Sequence, residues 1–269
     1  MVKYDTISYI GGTSMYNIVT NSKEFYFGRQ NDYSKYRPEY PKKLFEFLEK
    51  NYNLKNKTIV ELGAGTGKFS KLASNYCKKL YYIEPNIDML NEGKKYCIEC
   101  NNIIFINACA EDTQVPNNSS DIVFAVQSFH WFDKVKLKEE VKRVLKEDGY
   151  FAIVWNDLED ENNEFSKEYF KYINSWNTKL TGKTYQHKNI EERQNFFKDK
   201  IYDTYTFIHS KKYSLEMLIG LSKSLSYAPK EDNKYYEEFI NGIIKIFNKY
   251  QNNNKVIFDF HTEMYIGKV

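Results

Sequence analysis

The chain has 269 residues, enough for one sizeable α/β domain or one domain with a large insertion, and for a core that needs no covalent staples. Its 39 basic and 36 acidic residues leave a net charge of +3 with no long single-sign block, which argues against nucleic acid as the main partner. Mean hydropathy is -0.67, no apolar run reaches the length of a spanning helix, and the polar opening Met1-Val2-Lys3-Tyr4-Asp5 has no apolar leader; the expectation is a cytoplasmic protein with no membrane partner, a monomer or homodimer.

Four cysteines (Cys77, Cys97, Cys100, Cys109) are too few for a disulfide framework in a chain of this length and read as reduced thiols. Cys97-Ile98-Glu99-Cys100 has metal-type spacing, but a zinc site takes about four ligands and no second pair or nearby His-x-x-x-His accompanies it. The expectation is two residues near a helix end and no metal. Aromatic side chains make up 17% of the chain, a hint that some of them line a pocket.

In chain order, Pro41 opens a helix with Leu44, Phe45 and Leu48 on one face. Strands and helices then alternate: strands at 57–62, 80–84, 103–108, 121–126 and 150–155, helices at 66–76, 86–97 and 133–146. Asn86 is the N-cap of the second of these helices, and Asp148-Gly149 is expected to stop the third. Apolar runs of four to six residues separated by helices imply a parallel sheet buried on both faces. Beyond Asn156 come a helical stretch at 159–180, a polar segment after Gly182, an alternating strand at 202–208, helices at 215–225 and 234–249, a turn at Asn252-Asn253-Asn254 and a closing strand at 255–266. The fold class is therefore α/β, a doubly wound, mostly parallel seven-stranded sheet with a helical cap. Its expected parts are a covering segment at 1–40, a core at 41–156, and cap insertions with the last two strands at 157–269.

In such sheets ligands bind beyond the carboxyl ends of the strands, so the stretch "IVELGAGTGKF" after the first strand matters most. A Walker loop needs Ser or Thr after Gly67-Lys68, and Phe69 stands there. The dinucleotide fingerprint Gly-x-Gly-x-x-Gly is also missed, because Gly63, Gly65 and Gly67 alternate. Glu61 precedes the loop, Glu84 ends the second strand and Glu111-Asp112 follows the third, a concentration of carboxylates that disfavours a pyrophosphate and suits a cationic, phosphate-free nucleoside such as S-adenosylmethionine. Glu84 stands where a ribose-binding carboxylate is found in such folds.

The stretches "VELGAGTGKFS", "YYIEPNIDML", "INACAEDTQVP" and "DIVFAVQSFHWFD" together resemble the class I S-adenosylmethionine-dependent methyltransferases, in the type 11-like, small-molecule branch that includes trans-aconitate methyltransferase. The resemblance covers roughly residues 25–156 and is weaker in "SKSLSYAP" at 222–229. It implies that Gly63, Ala64 and Gly65 line the methionine portion, Glu61 orders its amino group, Glu84 and Pro85 lie at the ribose, Ala110 and Glu111 frame the adenine, and Val126 and Gln127 close the pocket. Asn107-Ala108-Cys109 departs from the family's more frequent Gly-Asp-Ala, which moves the expected adenine contact to Glu111. "YSKYRPEYP" at 33–41 resembles the segment that covers the cofactor, with Arg37 for its carboxylate and Tyr33 over the sulfonium; the alternatives are a surface ion pair and a packing residue.

The stretch after the fourth strand lacks both the Asn/Asp-Pro-Pro-aromatic pattern that stacks a flipped base and the Pro-Cys nucleophile of cytosine carbon methylation, which speaks against a nucleic-acid substrate. His130 is either a general base for an acceptor hydroxyl or, with Trp131, a wall of the pocket. Trp131, Trp155, Trp176, Ser224, Ser226 and Tyr227 are the expected acceptor contacts, with cap packing as the alternative for those beyond Trp131. The leading function is thus methyl transfer to an oxygen or nitrogen of a small molecule, releasing S-adenosylhomocysteine. The alternatives are a nicotinamide-dependent reductase and a non-catalytic S-adenosylmethionine-binding protein.

Overall fold

The computed structural model describes residue 36 and residues 38–157, 163–182, 190–225 and 227–269. Seven strands form one sheet: β1 Thr58–Leu62, β2 Lys79–Ile83, β3 Ile103–Ile106, β4 Ser120–Val126, β5 Leu145–Asp157, β6 Tyr202–Tyr213 and β7 Val256–Gly267. Their order is β3-β2-β1-β4-β5-β7-β6; β1 to β5 run parallel, and β7 is antiparallel to both of its neighbours. The chain winds outward from β1 through β2 to β3 and then returns to β4 on the other side of β1. The order therefore reverses between β1 and β4, and the crevice at their carboxyl ends is where this topology places a ligand.

Helices α1 Lys42–Tyr52, α2 Lys68–Ala73 and α3 Ile87–Tyr96 precede β4, and α4 Lys134–Val144 precedes β5. On one sheet face Leu44, Phe45 and Leu48 of α1 and Phe69 of α2 bury Ile59, Leu80, Phe124 and Val154. On the other, Leu137, Val141 and Val144 of α4 bury Val60, Val123, Phe151 and Ile153. Apolar residues on both faces of each central strand explain the uninterrupted apolar runs.

Among the described residues four further helices follow β5: α5 Glu164–Thr181, α6 Ile190–Phe196, α7 Leu215–Lys223 and α8 Tyr236–Tyr250. Among the described residues no helix is long and apolar enough to cross a membrane. Strands β6 and β7 pair from Tyr202 with Gly267 to Tyr213 with Val256, whereas β5 pairs with β7 only between Phe151 and Asp157. The two late strands thus extend past the sheet as an arm. Its Phe258 and Phe260 enter a third core with Tyr169, Ile173 and Trp176 of α5, Leu218 and Leu221 of α7, and Phe239 and Ile243 of α8.

Several elements depart from the sequence expectations: β5 and β6 are longer than the strands expected at 150–155 and 202–208, and three helices differ for local reasons. Helix α2 begins at Lys68 rather than Thr66, because Gly67 has the left-handed φ of 83° and closes the preceding loop. Helix α4 ends at Val144, well before Asp148-Gly149: Leu145 is already extended and paired with Ser120, and the amides of Asn118 and Ser119 satisfy the carbonyls of Arg143 and Val144 at 3.0 Å each. Helix α6 falls where only a polar segment was expected, and it buries Arg193 and Phe196.

Candidate active site

The loop after β1 is shaped by three glycines with left-handed φ, 64° at Gly63, 59° at Gly65 and 83° at Gly67. A Cβ at Gly63 would lie 2.9 Å from that of Ser128, whose hydroxyl donates to the Leu62 carbonyl at 2.7 Å; the loop and the β4 exit are pressed together there. A Cβ at Gly67 would meet the Cys97 sulfur at 2.9 Å. At Gly65 a Cβ would meet nothing within 4 Å, so the backbone there borders open space.

Glu84 leaves β2 and turns back to this loop. Its Oε2 accepts from the Gly65 amide and its Oε1 from the Asn86 amide, both at 2.9 Å. Asn86 caps α3 by accepting from the amides of Asp88 and Met89. Asn107 donates its carboxamide to the Glu84 carbonyl at 2.8 Å and the Pro85 carbonyl at 3.0 Å, which braces the β2 exit. Burial pushes the Glu84 carboxyl up to about 7 despite the two amides that oppose the shift. Glu61 is buried on the α2 side of β1 and accepts from the Ser70 hydroxyl. Burial pushes it up to about 8; the Ser70 bond works against the shift and the nearby Glu84 adds to it.

At the β4 exit Val126 is buried, and Gln127 takes a left-handed φ of 55° while donating its amide to the Val154 carbonyl and its carboxamide to the Asn156 carbonyl, both at 2.9 Å. A short 3₁₀ turn, Phe129–Trp131, follows. The His130 ring lies 4.7 Å from Trp131 and 5.3 Å from Trp155, stacked on the latter. The protein packed around the ring, and then the Lys134 ammonium, push its imidazole down to about 4. The residue is exposed to solvent, and its lowered imidazole is neutral at pH 7.

The sequence-expected residues therefore divide. Gly63, Ala64, Gly65, Glu84, Pro85, Val126, Gln127, His130 and Trp131 lie together at or just beyond the carboxyl ends of β1, β2 and β4. Glu61 faces α2 instead of the crevice mouth. Ala110 is buried, and Glu111 accepts from the Asp133 amide at 2.9 Å, so it braces the start of α4. Trp155 and Trp176 are buried in the sheet and cap cores. Ser224 is buried with its hydroxyl donating to the Leu221 carbonyl at 2.6 Å, and Tyr227 is half-buried in the cap. Tyr33, Arg37 and Ser226 lie outside the described residues.

Three contributors escaped the sequence reading: Asn107, Ser128 and Tyr82, whose hydroxyl donates to the Gly65 carbonyl. Asn107 and Ser128 carried a usable signal, each being a polar residue just past an apolar strand. Cys97 ends α3 as a free thiol against Gly67, and burial pushes it up to about 12.

Residues 60–153, which span β1 through most of β5, match the methyltransferase domain family. An uncharacterized methyltransferase of Schizosaccharomyces pombe is 27% identical over 239 residues, 87% of this chain and 92% of that protein. Residues 60–153 form a class I methyltransferase domain. A probable S-adenosylmethionine-dependent methyltransferase of Saccharomyces cerevisiae is 30% identical over 63% of the chain and 60% of the yeast protein. In fold, this methyltransferase is similar to a candidate type II methyltransferase from Anaeromyxobacter dehalogenans, with a TM-score of 0.65 at 17% identity over 86% of this chain and 97% of the other.

Proposed function

We propose that this methyltransferase binds S-adenosylmethionine at the β1–β2–β4 crevice and moves its methyl group to an oxygen or nitrogen of a small-molecule acceptor. The observation that carries the reading is the pairing of Gly65 with Glu84: open space above a glycine that needs its positive φ, and a buried carboxyl fixed beside it. Each Glu84 oxygen accepts one amide and keeps a lone pair, so a ribose diol fits it without breaking the loop. Gly63, Ala64 and Gly65 present backbone to the amino-acid portion, with Glu61 behind them as buried negative charge once it ionises. Pro85, Ala110 and Glu111 flank the base, and Val126 and Gln127 close the floor. Arg37 pairs with the cofactor carboxylate and Tyr33 covers the sulfonium.

The cofactor supplies an electrophilic methyl and a neutral sulfur leaving group. The chain's task is alignment and exclusion of water, because in-line displacement needs little covalent help. His130, flanked by Trp131 and Trp155, takes the proton of a hydroxyl or amine acceptor, a role that the lowered imidazole opposes in the free protein and that a nearby acceptor must offset; a carboxylate acceptor needs no base. Tyr227 and Ser224 belong to the cap on the acceptor side.

Calorimetry with S-adenosylmethionine, S-adenosylhomocysteine and NADH tests the assignment. Both sulfur compounds bind with Kd below about 1 mM, equivalent to about -4 kcal/mol, and NADH does not; the reverse preference removes the cofactor. Glu84→Ala weakens binding by about 1.5–3 kcal/mol. His130→Gln lowers turnover by about a hundredfold on a hydroxyl acceptor with cofactor affinity unchanged; unchanged turnover makes His130 a wall only.

A further inference from the structure

At the opposite end of the sheet an open cleft of about 520 Å³ lies between α4 and the turn before β6, lined by Lys138, Lys142, Asn195, Phe197, Lys198, Asp199, Lys200 and Val269. The amide of Lys198 donates to the Lys268 carbonyl at 2.8 Å, and Gly267 pairs with Phe151 and Tyr202. The cleft therefore sits at the amino ends of the parallel strands. It shares no residue with the crevice that holds Gly65 and Glu84.

Four lysines line this cleft against two carboxylates, the side chain of Asp199 and the α-carboxylate of Val269. Among the described residues none of the four lysines forms an ion pair, whereas two of the other three cations on α4 do: Lys134 pairs with Glu192 and Arg143 with Glu140. Lys138 donates to the Asn195 carbonyl at 3.3 Å, and its pKa is held below the ordinary lysine value, first by burial and then by Lys142. The turn that presents the other two lysines is held in an unusual backbone, with left-handed φ of 52° at Asp199 and 59° at Lys200, neither of them glycine. Side chains held in such conformations by the surrounding fold cluster at ligand sites.

We propose that this cleft binds a small multiphosphate anion, at a site separate from methyl transfer. Converging unpaired lysines act as several point charges, which suits a chain of phosphates better than one planar carboxylate, the preferred partner of arginine. The volume is that of a small-molecule pocket. A concave site of this size on a chain of net charge +3 does not suit a duplex or a bilayer, either of which needs a broad basic face. Two sources share the chemistry: free inorganic polyphosphate, and the phosphate chain of a nucleotide.

The test is calorimetry of the full chain with sodium tripolyphosphate, with and without saturating S-adenosylhomocysteine. Expected are a Kd below about 1 mM, no competition with S-adenosylhomocysteine, weakening at high salt, and an affinity loss of at least about tenfold in Lys142→Gln/Lys200→Gln. The single variants Lys142→Gln and Lys198→Gln, each with a smaller loss, give the same reading if the double variant fails to fold. Adenosine triphosphate binding more tightly than tripolyphosphate, and losing that binding in the double variant, assigns the nucleotide; binding no tighter assigns free polyphosphate. The proposal is overturned by an absence of binding, by competition with S-adenosylhomocysteine, by unchanged affinity in the lysine variants, or by an equal loss in Lys42→Gln/Lys43→Gln on α1. Failure of S-adenosylhomocysteine to bind would strike the cofactor assignment and leave this result standing.

Discussion

Glu61 and Glu84 are carboxyl groups whose pKa values burial raises from 4.5 to about 8 and about 7, so between those limits the folded chain holds protons that the unfolded chain has released. Their contribution to stability is full below the unfolded value and is lost as pH rises through the folded ones. The Tm of the ligand-free protein therefore falls between pH 5 and pH 8 on their account, and Glu84→Gln flattens that fall. A cationic cofactor favours the ionised carboxylates, so its binding at pH 7 releases protons; calorimetry in two buffers of different ionisation heat reads the number, and proton uptake would place the cofactor away from both groups. The glycines allow a sharper comparison. Ala at either Gly63 or Gly65 takes the same left-handed strain, but only at Gly63 does the new methyl meet Ser128. Gly63→Ala loses about 2–3 kcal/mol in urea unfolding, whereas Gly65→Ala loses about 1 kcal/mol of stability and its larger deficit appears in cofactor affinity.

At the level of elements, short-range chemistry was readable and long-range chemistry was not. Asn86 and Asp133 were visible as helix starts because a cap needs only amides two and three residues on, and both make those bonds. Asn86→Ala costs about 1 kcal/mol, measured by chemical denaturation, and loosens the β2 exit that also presents Glu84. The end of α4 was misread because Gly149 looks like a stop in isolation, whereas the actual stop is Leu145 pairing with Ser120 across the sheet. Helix α6 was unreadable for a related reason. Its "IEERQNF" has little apolar periodicity, and it buries Arg193, whose guanidinium sits 3.6 Å from the centre of the Tyr265 ring on β7.

Across the whole molecule, the half of the crevice built by β1, β2 and β4 could be read from adjacent motifs, because topology alone gathers successive strand ends. The inward turn of Glu61 toward Ser70 and the role of Glu111 at α4 depend on packing that no motif encodes. The cap was legible only as helices. Its link to the leading segment is Tyr36, which lies so close to Gly220 of α7 that a Cβ there would come within 2.2 Å of its ring, and whose hydroxyl donates to Glu216 at 3.1 Å. Gly220→Ala dislodges that ring, and because Tyr36 adjoins the segment assigned to cover the cofactor, its Kd rises by about threefold to tenfold while α1 to α4 keep their hydrogen-exchange protection. The strand order carries a different consequence, for biosynthesis. Among the described residues, β6 pairs with β7 alone, and β7 also fills the seat beside β5. As the chain leaves the ribosome, β5 must wait with an open edge and β6 has no place in the sheet until residues 256–267 emerge. The nascent protein therefore carries its most aggregation-prone surface through the synthesis of α5 to α8, about a hundred residues, and completes its sheet in one late step.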